Sequence, residues 1–151
     1  MVAPINLHVG GVNGSYRPTQ RTRVDFELAA SYNDLNLFSD LDDENNDGFA
    51  GHIDLKQALI KPGDSVSLDA NVSFDYIDRD FRTVELLYNV EFLRDWNLTD
   101  PMGDQRLLTA GIDFAKTGNG SARYAFQHLG YSDNFNGNRH LVNGLYRFGR
   151  W

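Results

Sequence analysis

The chain contains no cysteine and only four prolines. The first absence removes disulfide scaffolds and thiolate metal sites and leaves the redox compartment open. Basic residues are the minority: 14 Lys and Arg against 21 Asp and Glu give a net charge of -7, with none of the clustered basic footprint that nucleic acid requires. Long apolar runs are missing too. A mean hydropathy of -0.46 argues against transmembrane helices, but it does not exclude transmembrane strands, whose polar half averages out the apolar half. The N-terminal stretch MVAPINLHVGG has neither a charged n-region nor an apolar segment long enough for a secretory signal. A cytosolic chain and an exported chain whose signal has been removed both remain open.

What the chain does have is alternation. In VSLDANVSFDY, Val66, Leu68, Ala70, Val72, Phe74 and Tyr76 share one parity, and Ser67, Asp69, Asn71, Ser73 and Asp75 the other. Successive strand side chains point to opposite faces, so this reads as a β-strand with one apolar and one polar surface. RVDFELAASY and RLLTAGIDFA repeat the pattern. Such runs exceed the five or so residues of an ordinary strand and approach the roughly 9–11 of a tilted membrane crossing. Aromatics at 13% and fourteen glycines suit a β-protein with many turns and interfacial rings.

Reading alternation together with Gly, Pro, Asn and Asp punctuation predicts about eight strands in one domain over residues 1–151. They begin near Ile5–Tyr16, with a bend or bulge at Gly10 and Gly11, and continue through 23–32, Phe49–Leu59, where DLKQALI also suits a short helix, and Val66–Tyr76. The fifth is VELLYNVEFLRDW, with Val84, Leu86, Tyr88, Val90, Phe92 and Trp96 on one face. The rest are 106–115, Ala122–Tyr131 and His140–Phe148. Turns are predicted at Lys61-Pro62-Gly63-Asp64, at Asn119-Gly120 and at Asn136-Gly137. The fold class is therefore all-β: an antiparallel up-and-down β-barrel of about eight strands, of transmembrane type. Aromatics at strand ends (Tyr16, Tyr32, Tyr76, Trp96, Tyr131, Phe148, Trp151) would form an interfacial girdle. The polar face is ionic, with Arg23, Asp25, Glu27, Asp54, Lys56, Asp69, Asp75, Glu85, Glu91, Asp113 and Arg123. The two longest connections, Asn33–Asp47 and Asp95–Gln105, fall on opposite rims by this strand count, against the usual asymmetry of such barrels. The alternative is a water-soluble barrel or sandwich that binds an apolar ligand inside.

The segments NNDGFAGHIDL, FDYIDRDFRTVELLYNVEFLRDWNL and SARYAFQHLGYSDNFNGNRHLVNGLYRF resemble outer-membrane β-barrel proteins of Bacteroidota over some two thirds of the chain. The resemblance implies a bacterial outer-membrane location, contact with outer-membrane lipids (or detergent) and folding by the barrel-insertion machinery. It fits either a compact barrel or a segment of a larger one. The implied role is structural, surface interaction or small-scale transport, with no nucleic-acid partner. The final GLYRFGRW ends on an aromatic, Trp151, but Arg147 and Gly149 stand where the insertion signal of that family has apolar residues.

No enzyme is expected. HLVNG compares with the His-x-Ser-Asn motif of eight-stranded outer-membrane lipid A deacylases, yet Val142 stands in the place of the nucleophile and cannot be acylated. Asp78 and Asp80 imitate a carboxylate pair but read more simply as loop charges. No cofactor is expected. The one metal candidate is a Ca2+ loop, DENNDGFAGHID, in which Asp43, Asn45, Asp47 and Asp54 supply oxygens and Gly48 the sharp turn. It competes with a plain acidic loop. His8, His52, His128 and His140 show no ligand spacing.

Overall fold

The structure, a computed structural model, describes residues 6–34, 45–60, 65–84 and 87–147. Seven strands form a single sheet: β1 (Asn6–Thr19), β2 (Thr22–Asp34), β3 (Asp47–Ala58), β4 (Val66–Ile77), β5 (Gln105–Lys116), β6 (Gly120–Tyr131) and β7 (Phe135–Tyr146). Each pairs antiparallel with its sequence neighbours, in the order β1 to β7. Among the described residues, β1 and β7 pair on one side only, so the sheet is open. The register is continuous at Gly10 and Gly11, where a bend or bulge was expected, so no bulge stands there; the irregularity lies between Tyr16 and Thr19. Pro18, with no N–H to donate, sits in that break. The Pro62-Gly63 turn lies outside the described residues.

Among the described residues of 84–96 the expected fifth strand is absent. β4 pairs with β5 along its whole length, from Val66 against Lys116 to Ile77 against Gln105, so no edge is left for residues 84–96. That segment belongs instead to a connection, 78–104, carrying one short helix, α1 (Phe92–Asp95). The alternation was ambiguous here. Tyr88, Phe92 and Trp96 are four apart, which is the same parity in a strand and the same face in a helix. The Asn136-Gly137 turn is also displaced: the chain reverses at 132–134, and both residues lie inside β7.

Removing one strand changes the rims. Connections 35–46, 78–104 and 132–134 now share one rim, and 20–21, 59–65 and 117–119 the other. Both long connections are thus on the same side. In the last short turn Gly118 takes φ 80°, a conformation costly for other residues.

Opposed residues of an antiparallel pair share a face. One row runs Phe26, Ile53, Phe74, Leu108, and the next Val24, Leu55, Val72, Ala110, Phe126. This apolar face is uncovered: Phe26 and Phe74 are 39% exposed, Val72 42%, Ile53 and Ile112 47%. Most buried strand residues, Ser31, Ala50, Gln105, Leu107, Ala125 and Leu129 among them, lie on the other, polar face, whereas Asp34, at the end of β2, has the apolar parity.

Candidate functional site

The polar face gathers what chemistry the sheet carries. Its rows, read from the short-turn rim, are Asp69, Asp113 and Arg123; then Arg23, Lys56 and Asn71; then Asp25, Asp54 and Ser73; then Glu27, His52 and Asp75. Charges compensate locally: Arg23 Nε lies 2.7 Å from Asp25, Lys56 Nζ 2.8 Å from Asp54, and Arg123 Nε 3.3 Å from Asp113. His52 Nδ1 lies 2.6 Å from Asp75 Oδ1. Toward the short-turn rim the face forms a vestibule of about 1040 Å3, walled by Arg17, Arg21, Arg23 and Lys56 on one side and Asp69, Asp113 and Arg123 on the other.

Toward the long-loop rim, the connection 78–104 folds onto the polar face. Phe81 is buried, and its backbone passes so close to Gly48 that a Cβ there would stand 2.3 Å from the Phe81 N and Cα. The Arg82 amide donates to Ser31 Oγ at 2.9 Å. At the far end Trp96 packs on Leu107 and Leu129, with Tyr88, Phe92, Leu98, Tyr131 and Phe135 around them. Tyr88 and Phe92 stack with centroids 4.3 Å apart, and Arg139 lies over the Trp96 ring at 4.7 Å. Arg139 also donates to Gln127 Oε1 at 2.7 Å from Nη2 and 3.0 Å from Nε. A smaller cavity of about 310 Å3 remains beneath the connection, lined by Glu27, His52, Asp75, Leu87 and Tyr88.

Several hydrogen bonds fasten the connection to the rim: the Met102 amide donates to Asn134 Oδ1 at 2.9 Å and Asn134 Nδ2 to the Asp100 carbonyl at 2.7 Å. Arg79 donates a fork to Asp133, Nη2 to Oδ1 at 3.0 Å and Nη1 to Oδ2 at 3.2 Å. It also donates to Ser132 Oγ at 3.1 Å and lies 3.5 Å from Asp104. The Ser132 hydroxyl first, and the Arg79 guanidinium beside it, hold the Asp133 carboxyl below its ordinary range. The bonds to Asp133 raise Arg79. Burial lifts the Tyr88 phenol well above its usual value, with Asp75 adding to the shift.

Of the expected Ca2+ loop, the described residues Asp47 and Asp54 stand apart. Asp43 lies outside the described residues. Asn45 precedes β3, Asp47 begins it, and Asp54 is seven residues along the same extended strand, about 23 Å away at the usual rise. Asp47 and Asp54 also have opposite parity, and Asp54 is bound to Lys56. A strand cannot wrap a cation as a loop does. Among the described residues no group of three or more His, Asp or Glu is placed to hold a metal ion. Asp78 closes a turn by accepting from the Asp80 amide at 2.8 Å. His140 lies on the apolar face, 2.9 Å from the Tyr124 hydroxyl, with Val142 exposed beside it.

The expected girdle is partly redistributed. Tyr16, Tyr32 and Tyr76 have the apolar parity near strand ends, whereas Tyr131 faces the polar side and Trp96 belongs to the connection. Phe148 and Trp151 lie outside the described residues. Compared with protein-family models, with curated proteins and with solved structures, the chain matches none. No helix among the described residues is long and apolar enough to cross a membrane, which says nothing of crossing by strands.

Proposed function

We propose that the sheet is wall of a transmembrane β-barrel in a bacterial outer membrane, its apolar face against lipid and its polar face lining a lumen that the 78–104 connection blocks. The observation that carries this reading is the inversion of burial. Phe26, Ile53, Leu55, Val72, Phe74 and Ile112 stay 39–47% exposed, while the covering segment lies on the polar face. A protein built for water would cover Phe26, Ile53 and Phe74 first, since each buried aliphatic or aromatic side chain contributes about 1.5–3 kcal/mol. Two further features agree. Strands of 12–14 residues suffice for a tilted crossing, and aromatics of apolar parity stand near both rims: Tyr32, Phe49 and Tyr76 at one, Tyr16, Phe114 and Tyr146 at the other. Short turns on one side and long connections on the other match the asymmetry of such barrels.

The role follows from the blocked lumen. With the connection in place the wall is structural and presents its long-loop rim for surface interaction; passage of solutes requires the connection to move. The test is folding into phospholipid bilayers. Val72→Asp and Phe74→Asp, at mid-strand on the apolar face, should each weaken membrane folding by less than the roughly 2–4 kcal/mol that a Lys costs at the bilayer midplane. Val90→Asp, in the connection and 79% exposed, should leave it unchanged. Wild-type chain that folds to a monomeric β-protein in detergent-free buffer would overturn the reading.

A further inference from the structure

The two free edges of the sheet run in the same direction. Strand direction reverses at each antiparallel pair, so β1 and β7, first and seventh, are parallel to each other. Joining them directly would need a parallel seam. An antiparallel closure needs an odd number of additional strands between them. A second copy does not supply this. Placed in the same bilayer with its long connections on the same side, it again offers a β1 parallel to this β7. Turned over to pair antiparallel, it would put its long-loop rim on the wrong side.

The connection sets the width. Its side chains reach past the rim to Leu107 and Leu129, each two residues inside its strand end, and it spans the wall from Ser31 on β2 to Arg139 on β7. Packed polypeptide layers lie about 10 Å apart, so wall, connection and opposite wall need about 20 Å. With strands about 4.8 Å apart and tilted about 40°, eight strands enclose about 16 Å backbone to backbone and ten about 20 Å. Eight strands leave room for side chains alone. The connection brings a backbone as well, pressed against Gly48.

We propose that the complete wall has at least ten strands: these seven and an odd set of three or more further strands, not a second copy of this sheet, that pair with the free edges of β1 and β7. Each would run 10–12 residues or so with the same apolar-out, polar-in alternation. The proposal rests on the membrane reading above, and it replaces the expectation of about eight strands.

The absence of cysteine makes spin labelling clean. The chain is folded in detergent micelles, where far-UV circular dichroism must show β-structure; its absence there counts against the membrane reading rather than the strand number. A nitroxide at Val12 is paired in turn with one at Asn136, Asn138, His140 or Val142, so that the shortest distance reads the gap between edges whatever the stagger. Three missing strands leave four interstrand spacings, about 19 Å along the wall, and one missing strand about 10 Å. The expected shortest separation is about 19 Å or more; 10 Å or less overturns the proposal. Chains labelled singly at Val12 and singly at Val142 are then mixed, and close approach between copies would make the second copy the closing partner and overturn it equally. Because labels could perturb an edge, amide exchange on the unlabelled chain gives a second measure. Outward-pointing amides of β1 and β7 should exchange at least ~100-fold faster than those of β4, and equal protection would mean the edges are already covered.

Discussion

Arg79 joins the start of the connection to its end at Asp104 and to the reversal at Ser132 and Asp133, where Met102 and Asp104 also bond to the same turn. Asp133 is ionised at lower pH than usual, so its contribution is whole above the unfolded value of about 3.9 and disappears as pH falls through its folded value. Cleavage of the 78–104 segment by an acid-active protease should therefore stay slow down to about pH 4 and rise below it. In Arg79→Gln it should be several-fold faster at neutral pH and rise less on acidification. Tyr88 gives the opposite limb. Its phenol is lifted by burial, so the neutral ring's contribution is whole below about pH 10 and is lost as pH rises through the folded value. Tyr88→Phe should retain protection of the connection in alkali, read by amide exchange quenched from pH 10 upward.

At the scale of elements, the connection and β3 meet where neither has a side chain to yield. Gly48→Ala would drive a methyl into the Phe81 backbone. Overpacking of this kind costs about 1–3 kcal/mol, and here it should appear as local release of residues 78–84 with the strand register intact, measurable by amide exchange at Phe81 and Arg82. The elements themselves were unevenly legible. β2, β4 and β5 could be read because their apolar and polar parities run almost unbroken, and β3 because its expected bounds differ from Asp47–Ala58 by no more than two residues. The 84–96 segment could not, since spacing of four satisfies strand and helix alike. A usable signal was nevertheless present: treating it as a connection puts both long loops on one rim. The contacts of Arg79 with Ser132 and Asp133, more than fifty residues away, had no local signature, for they depend on which strands become neighbours. The Ca2+ loop was ambiguous for a related reason. Asp, Asn and Gly at alternate positions suit both a cation loop and the polar start of a strand, and the register of β3 against β2 and β4 decides for the strand.

For the whole molecule, the balance of burial is the organising fact. A sheet whose covered side is its ionic side depends on its surroundings for the rest of its apolar burial, which is why Val72→Asp and Val90→Asp are expected to part company although both replace an exposed valine. The vestibule and the 78–104 connection divide the polar face in two, and the short-turn side is the one the connection leaves uncovered.

The odd number of strands has a consequence for orientation. Asn6 pairs with Asp34 beside the long connections, and Tyr146 with Gly120 beside the short turns, so polypeptide leaves the sheet from opposite ends. On the membrane reading proposed above, an epitope placed ahead of Asn6 would report one compartment of an intact cell and an epitope placed after Arg147 the other. On that reading the seven-stranded wall would be a physical link between the surroundings of the cell and the space beneath its outer envelope.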